Sequence, residues 1–267
     1  MSYIYRITAR KLFKSRTFWI MLLLYAFSMS TLIFGIEAFI KNITINAGSN
    51  SPIPIPEVSV YVFPNIWQSL SYLAGFLKLF PALILIIFVS AEYSYKTNRQ
   101  HIMNGMSRES YFFSQLIFMI GLALFSTLLL FVLTLFLGFQ HTSDMSLALV
   151  FSKSYYSLAY FLELLAFLSI AFFTAIILKR SGLAIIVFLL LYSVLEPVAR
   201  FYFPEIIAHN MPFKAIGNLI DVPNTSLMKL FGVNFRTYID TFDLLLVVFY
   251  TGLFTFFSYL LVKKRDL

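Results

Sequence analysis

The 267-residue chain is 60% hydrophobic and carries only 12% charged residues. A soluble domain has about 25% charged residues, so this composition excludes an ordinary soluble fold and predicts an integral membrane protein. The absence of cysteine excludes disulfides, thiolate metal sites and cysteine nucleophiles. The net charge of +8 comes from basic residues that flank apolar segments without forming a groove-like cluster, so we expect membrane topology and no nucleic-acid binding.

The N-terminal segment, residues 1–16, has two distinct sides when it is drawn as a helix. One side is basic, with Arg6, Arg10 and Lys14, and the other is apolar, with Tyr5, Ala9, Leu12 and Phe13. This pattern predicts a helix lying in the membrane interface. A signal peptide is the competing interpretation, but the apolar run over 17–40 is too long and no small-residue cleavage site closes it. We therefore expect a retained first span.

Six apolar segments are long enough to cross a bilayer about 30 Å thick, which takes about 20 helical residues. The predicted fold is an all-α membrane protein in which residues 1–267 form one transmembrane domain. Thirteen Lys and Arg residues lie in the N-terminus, the 91–110 loop, the 179–180 turn and the tail, against six in the opposite loops. By the positive-inside rule, both termini and the 91–110 loop are predicted to be cytoplasmic. The six predicted spans are 17–40, 67–90, 111–139, 156–178, 182–203 and 243–262.

The loop at 91–110, AEYSYKTNRQHIMNGMSRES, is a polar island between the second and third spans. Thr97 and Gln100 have the spacing of a capping box, and Asn104-Gly105 supplies a left-handed stop, so we predict a helix of about two turns. One stripe of that helix combines a charge with three adaptable apolar side chains, which suits a groove on a partner protein. The stripe consists of Arg99, Ile102, Met103 and Met106.

The end of the same loop predicts the start of the next helix. Ser107 is expected to cap that helix, and Glu109 falls in its first turn, where the helix dipole favours an acid. The chain then returns to apolar sequence at Tyr111. Two membrane helices are thus predicted to be joined by a short, structured hinge.

Part of this loop resembles a known signature. Glu92-Tyr93, then Thr97, then Asn104-Gly105-Met106-Ser107-Arg108 resembles the E-x-x-x-G-T…G-x-S-R pattern between the second and third spans of type-2 ABC transporter permeases. The sequence departs from that pattern at Lys96, where the family often has glycine. The same residues are also compatible with any well-capped cytoplasmic loop, and at this point both interpretations stay open.

The resemblance implies a membrane subunit of an ATP-driven exporter in the bacterial inner membrane. Residues 1–16 would form the interfacial elbow, the 91–110 loop would contain a coupling helix, and re-entrant helices would precede the sixth span. The chain would pair with a second copy or a homologous permease within membrane lipid. Two copies of a separate ATPase would hold ATP and Mg, so no cofactor is expected in this chain. Coupling to the ATPase would use Glu92, Thr97, Arg99, Ile102, Met103, Gly105, Met106 and Arg108.

The last outer loop, 204–241, contains two short amphipathic pieces separated by Asp221-Val222-Pro223-Asn224. Their apolar residues are Phe213, Ile216, Leu219 and Ile220, then Leu227, Met228, Leu230 and Phe231. Re-entrant helices that enter the outer leaflet would show this pattern, as the resemblance implies. Two helices lying on the membrane surface would show it equally well.

Four ionisable residues lie within or near the ends of the apolar spans, where a charge costs at least about 2.5 kcal/mol. Glu37 and Glu196 are close enough to the outer ends of their spans to reach the interface, and Arg200 follows Glu196 on one helix face. Lys78 is deeper, beside Pro81, whose ring is expected to kink the helix. Lys78 and Glu163 are our candidates for lining a path, and Glu163 is the partner we expect if Lys78 bonds to a neighbouring span. A Lys78 side chain that snorkels to the interface is the equal alternative.

Catalytic patterns are not found in the sequence. His101, His141 and His209 are spread over both predicted sides of the membrane and form no H-E-x-x-H motif, and no phosphate-binding P-loop occurs. Two rival functions remain from other classes. One is an intramembrane enzyme that uses Glu163 and Lys78, and the other is a non-transporting scaffold that uses the 91–110 loop to hold a partner.

Overall fold

The computed structural model describes residues 14–48, 61–103, 105–142, 146–223 and 236–264. Every regular element in these ranges is helical. The predicted interfacial helix over 1–16 falls almost wholly outside the described residues, as does the second amphipathic piece around Leu227–Phe231.

Twelve helices are numbered here along the described chain. The first five are α1 (Arg16–Gly48), α2 (Ile66–Gly75), α3 (Leu79–Ser94), α4 (Thr97–Met103) and α5 (Arg108–His141). The next four are α6 (Leu147–Phe151), α7 (Tyr155–Leu178), α8 (Ser181–Leu190) and α9 (Glu196–Tyr202), with a π-helical turn over Leu191–Leu195 between the last two. The last three are α10 (Glu205–His209), α11 (Pro212–Gly217) and α12 (Thr241–Lys264).

Within the described residues, five helical segments are long and apolar enough to cross a membrane, and a sixth is obtained when the bent pair α2–α3 counts as one span. The other five segments are Arg16–Ala38, Arg108–His141, Leu147–Leu178, Ser181–Tyr202 and Thr241–Lys264. The described helices confirm the prediction of an all-α fold, with five apolar segments long enough to cross a membrane, or the predicted six when α2–α3 counts as one span.

Helix α7 is the centre of the bundle. In the span Leu147–Leu178, which contains α7, 67% of the apolar stretch is buried inside the chain, against 28% or less in each of the other four single spans. It packs against α12, α3, α5, α2 and α8. The outer helices expose large apolar side chains such as Ile20, Leu128 and Ile186. Large apolar side chains on the outside of a helical bundle are favourable only in apolar surroundings. This exterior therefore fits a lipid bilayer.

The basic turns predicted to share one side lie together at one end of the bundle, which we call the loop end. There Ser94 Oγ donates to the backbone oxygen of Lys179 at 2.8 Å, so the end of α3 meets the 179–180 turn. Arg108 Nη1 donates to the backbone oxygen of Lys263 at 2.9 Å, which joins the start of α5 to the end of α12. Chain direction therefore puts α4 and the C-terminus of α12 at the loop end.

At the opposite end, which we call the far end, Arg236 holds the start of α12. Its guanidinium donates to Asp221 at 2.8 Å and to Asp243 at 2.9 Å, and Asp243 is almost fully buried. These hydrogen bonds raise the pKa of Arg236 above its ordinary value. Gln68 of α2 donates to the backbone oxygens of Asp221 and Arg236. The segment before α12 is thereby attached to the bent pair α2–α3, which we call the split span.

Helix α11 corresponds to the first amphipathic piece predicted in the last outer loop. Ile216 of α11 and the following residues Leu219 and Ile220 are buried within the protein, so the apolar side of this piece packs on the bundle. Glu196 accepts hydrogen bonds from the backbone N–H groups of Phe213 at 2.9 Å and Lys214 at 2.7 Å. The acid predicted to reach the outer interface is therefore occupied in fixing the start of α11.

One close contact at the far end is sensitive to a single methyl group. A Cβ atom built on Gly138 of α5 would lie 2.3 Å from the Phe63 ring, closer than real Cβ atoms approach their neighbours. The backbone N–H of Phe63 donates to Thr142 Oγ1 at 3.1 Å, and its ring packs against Trp67 and Phe139, so the residue is held in place. Gly121, on the same helix, has no such neighbour within 4 Å.

We predict that Gly138→Ala destabilises the fold by about 1–3 kcal/mol, because overpacking a filled site forces side chains and backbone to shift. Gly121→Ala is the matched control and should leave stability unchanged or slightly raised, since alanine is the better helix former. Thermal unfolding of the purified protein in detergent measures both. Equal melting temperatures for the two variants would show that the Phe63 contact is not tight.

Candidate functional site

The split span breaks where proline chemistry requires it. Helices α2 and α3 meet at a 45° bend, and Pro81 lies in the first turn of α3. A proline has no N–H and its ring clashes with the carbonyl four residues earlier, here that of Leu77. The Leu77 oxygen accepts instead from the N–H of Phe80 at 3.0 Å. The predicted kink beside Pro81 is confirmed, and it places Lys78 at the break.

Lys78 forms a buried ion pair with the central helix. Its Nζ lies 2.8 Å from Oε1 of Glu163 on α7, and the two side chains are only 9% and 5% exposed. The predicted pairing of these residues is confirmed. Gly75 lies directly beside the carboxylate, since a Cβ there would make van der Waals contact with Glu163 Oε1 at 3.4 Å. The break in the split span is thus tied by charge to the most buried helix.

Aromatic rings surround this ion pair on one side. Lys78 Nζ lies 5.2 Å from the centroid of the Phe167 ring, a cation–π distance. Phe167 in turn packs against Phe188, Tyr192 and Phe213, with ring centroids 5.3, 5.3 and 5.6 Å away. We call these four rings the aromatic cluster. It brings α7, α8, the π-helical turn and α11 together beside Lys78.

Two cavities adjoin the aromatic cluster. The first, the basic cavity, has a volume of about 350 Å³ and is lined by Lys78, Arg200 and Lys214 together with Tyr192, Ser193 and Phe213. The second, the apolar cavity, has a volume of about 480 Å³ and lies between α7, the α8–α9 segment and α12, also with Phe213 in its wall. The convergence of Lys78 and Arg200 with Lys214 could not be predicted from the sequence, because no local spacing relates residues 78, 200 and 214.

At the loop end, helix α4 is bounded by two left-handed residues. Lys96 has φ 55° and Gly105 has φ 89°, and α4 runs from Thr97 to Met103 between them. The predicted stop at Gly105 is confirmed. The predicted cap is wrong in detail, because Thr97 is the first residue of α4 and does not precede the helix. The turn into α4 is made by Lys96. The Thr97 hydroxyl donates to the backbone oxygen of Glu92 at 3.2 Å.

The predicted coupling residues divide into buried and exposed sets. Glu92 is buried and accepts a hydrogen bond from Gln115 Nε2 of α5, so it braces the loop from inside. Met106 is 8% exposed and belongs to the core, whereas Met103 is 79% exposed. The prediction that Met106 shares an exposed stripe is therefore wrong, because the chain turns at Gly105 and points Met106 inward.

Three further predicted residues complete this site. Ile102 is partly exposed on α4. Arg99 lies in α4, but its side chain is outside the described part of the structure. Arg108, at the start of α5, is attached to the end of α12 through the backbone oxygen of Lys263.

The start of α5 is built as the sequence predicts. Ser107 is the N-cap, and its side chain accepts a hydrogen bond from the N–H of Ser110 at 3.1 Å. Glu109, in the first turn, accepts from the Tyr259 hydroxyl at 2.8 Å and lies 3.5 Å from Lys263 Nζ. The cap is confirmed, and the acid has a second use that the sequence analysis missed, since it binds α12.

No protein-family model matches this chain, and no curated protein matches it. Among the described residues, no group of three or more His, Cys, Asp or Glu side chains is placed to hold a metal ion. The candidate sites are therefore defined by their geometry, which is an ion pair with adjoining cavities inside the bundle and a braced short helix at the loop end.

The ion pair generates a stability prediction. Lys78→Met should destabilise the fold by about 3–5 kcal/mol, because it leaves the Glu163 carboxylate buried without its partner. The double variant Lys78→Met with Glu163→Leu should recover most of that loss, because two apolar side chains of similar volume need no pairing. Melting temperatures in detergent report both changes. A double variant no more stable than the single one would contradict a coupled pair.

Proposed function

We propose that this chain is the membrane subunit of an ATP-driven exporter of the type-2 ABC kind, located in the bacterial inner membrane with both termini cytoplasmic. It works as a dimer with a second copy or a homologous permease, coupled to two copies of a separate ATPase. ATP and Mg are held by that partner, since this sequence has no P-loop. Cargo moves along the interface of the two permease subunits.

The observation that carries the proposal is the construction of helix α4. Its flanks are anchored by buried groups, Glu92 on one side and Met106 on the other, while Met103 projects from it with 79% of its surface exposed. A flexible, polarisable methionine is well suited to a hydrophobic groove on a partner protein. An ATPase that docks on α4 would contact the exposed apolar Met103, and the buried groups on either side of α4 would pass its displacement to the bundle.

The connections of α4 would transmit such a push to several spans. Helix α4 is joined covalently to α3 and α5, and the start of α5 is attached to α12 through Glu109–Tyr259 and Arg108–Lys263. Ser94 at the end of α3 holds the 179–180 turn, which connects α7 to α8. Because these contacts join packed helices, a displacement of α4 moves them together as rigid elements.

The backbone at Lys96 adds support for the resemblance. The family signature often has glycine at this position, and here the residue adopts φ 55°, a conformation that glycine reaches at no steric cost. Lys96 therefore makes a turn that glycine could also make.

The buried pair argues for transport over the rival enzyme. Lys78 and Glu163 are bonded to each other, so neither is held ready for a substrate proton. Their position at a break in a span, beside two cavities, is the arrangement in which discontinuous membrane helices bind transported solutes. The scaffold alternative is distinguished from transport by the following experiment.

We predict that Met103→Asp abolishes stimulation of the partner ATPase by cargo while membrane insertion is unchanged. A carboxylate buried in an apolar groove without a partner weakens docking by about tenfold or more. Leu147→Asp is the matched control, because Leu147 is 75% exposed and lies at the far end. ATP hydrolysis by the complex in lipid nanodiscs is the measurement. Full stimulation with Met103→Asp would count against docking through α4, and hydrolysis without cargo movement would favour the scaffold.

A further inference from the structure

The basic cavity is lined by an unbalanced set of charges. Lys78, Arg200 and Lys214 face it, and none of the described residues that line it is acidic. Glu163 neutralises Lys78 from behind. Glu196, four residues before Arg200, lies in the wall of the apolar cavity, where it attracts Arg200 electrostatically and accepts hydrogen bonds from the backbone at the start of α11. Arg200 is thus partly compensated by Glu196 from outside the cavity, while the lining itself contains Lys78, Arg200 and Lys214 and no carboxylate among the described residues.

Arg200 also has an unused donor. Its Nε is buried and makes no hydrogen bond within the described part of the protein. A buried donor without an acceptor costs free energy, so a shift of the Arg200 side chain that brings Nε to an acceptor in the cavity is favoured. The guanidinium offers a planar set of N–H groups that matches the oxygens of a phosphate, and Lys214 adds a mobile point charge. Ser193 and Tyr192 supply hydroxyl groups in the same wall.

The size and surroundings of the cavity indicate an amphiphilic ligand. Its volume of about 350 Å³ lies within the range of small-ligand sites, ~300–1,000 Å³. Phe213 separates it from the apolar cavity of about 480 Å³, which is lined on α7 by Ile170, Phe173, Thr174 and Ile177, one helical stripe. An acyl chain in the apolar cavity and an anionic headgroup in the basic cavity would place each part of one molecule in matching surroundings.

We propose that the basic cavity binds a phosphate anion, carried as the headgroup of an amphiphile whose chain lies against Phe213 and the apolar cavity. The inference goes beyond the coupling proposal and does not depend on it, because binding to the isolated subunit needs no motor. If an ATPase does not dock at Met103, the proposed anion site is unaffected. If no anion binds in the basic cavity, the docking proposal is unaffected.

Binding is measured on the purified full-length chain in a neutral detergent, using three probes. Short-chain phosphatidic acid carries both parts of the ligand, inorganic phosphate carries only the anion, and the corresponding diacylglycerol carries only the chains. We expect the order phosphatidic acid, then phosphate, then diacylglycerol, read as ligand-induced shifts in melting temperature and as dissociation constants from titration.

Two substitutions test the location. Arg200→Gln and Lys214→Gln should each weaken phosphatidic acid binding by about tenfold, the usual effect of losing one charge-assisted hydrogen bond. Lys153→Gln removes the same charge from the far end outside this cavity and should have no effect. Lys214 is exposed, so its substitution leaves the fold intact even if that of Arg200 does not.

The outcomes separate the possible sources of the anion. If inorganic phosphate binds as tightly as phosphatidic acid and responds to the same substitutions, the anion site stands and its occupant is a soluble phosphate. If no probe binds, or if Lys153→Gln weakens binding as much as Lys214→Gln, the cavity is not an anion site and the inference is overturned.

Discussion

The architecture depends on one buried ion pair. Lys78 and Glu163 lie 2.8 Å apart in a bundle whose surface is mostly apolar, where neither charge is tolerable alone. The pair fixes the break of the split span against α7, the helix that most of the others contact. Pro81 creates the break, Gly75 lies beside the carboxylate, and Phe167 covers the ammonium. Around this point the aromatic cluster and both cavities are arranged.

The two ends of the bundle are built differently, and the difference bears on function. At the loop end, short polar contacts such as Ser94–Lys179 and Glu109–Tyr259 join helices around α4, which leaves its apolar tip outside. At the far end, Arg236 and its aspartates hold the chain that precedes α12. An external force at the loop end and a ligand in the basic cavity would thus act on the same set of packed helices.

Features governed by local chemistry could be predicted from the sequence. Spans follow from hydrophobic length, the kink follows from Pro81, and the cap of α5 follows from Ser107, because each depends on residues within one or two turns. The Lys78–Glu163 pair could be inferred because an isolated charge in a span requires a partner.

Features that depend on distant residues could not be predicted. Met106 has the right spacing for an exposed stripe, but its burial depends on the turn at Gly105 and on the helices it meets. Glu196 bonds to the backbone of residues 213 and 214, and Arg236 gathers aspartates from both sides of a loop. The basic cavity likewise joins three cations that are far apart in the chain.

The most direct measurement of the central claim is purification of this chain from its native membrane in a mild detergent, with its bound proteins identified and quantified. A motor-coupled permease should retain a P-loop ATPase in equimolar amount. If the chain is recovered folded and without an ATPase, the braced helix at the loop end is only a well-capped connection, and the account of its function is contradicted.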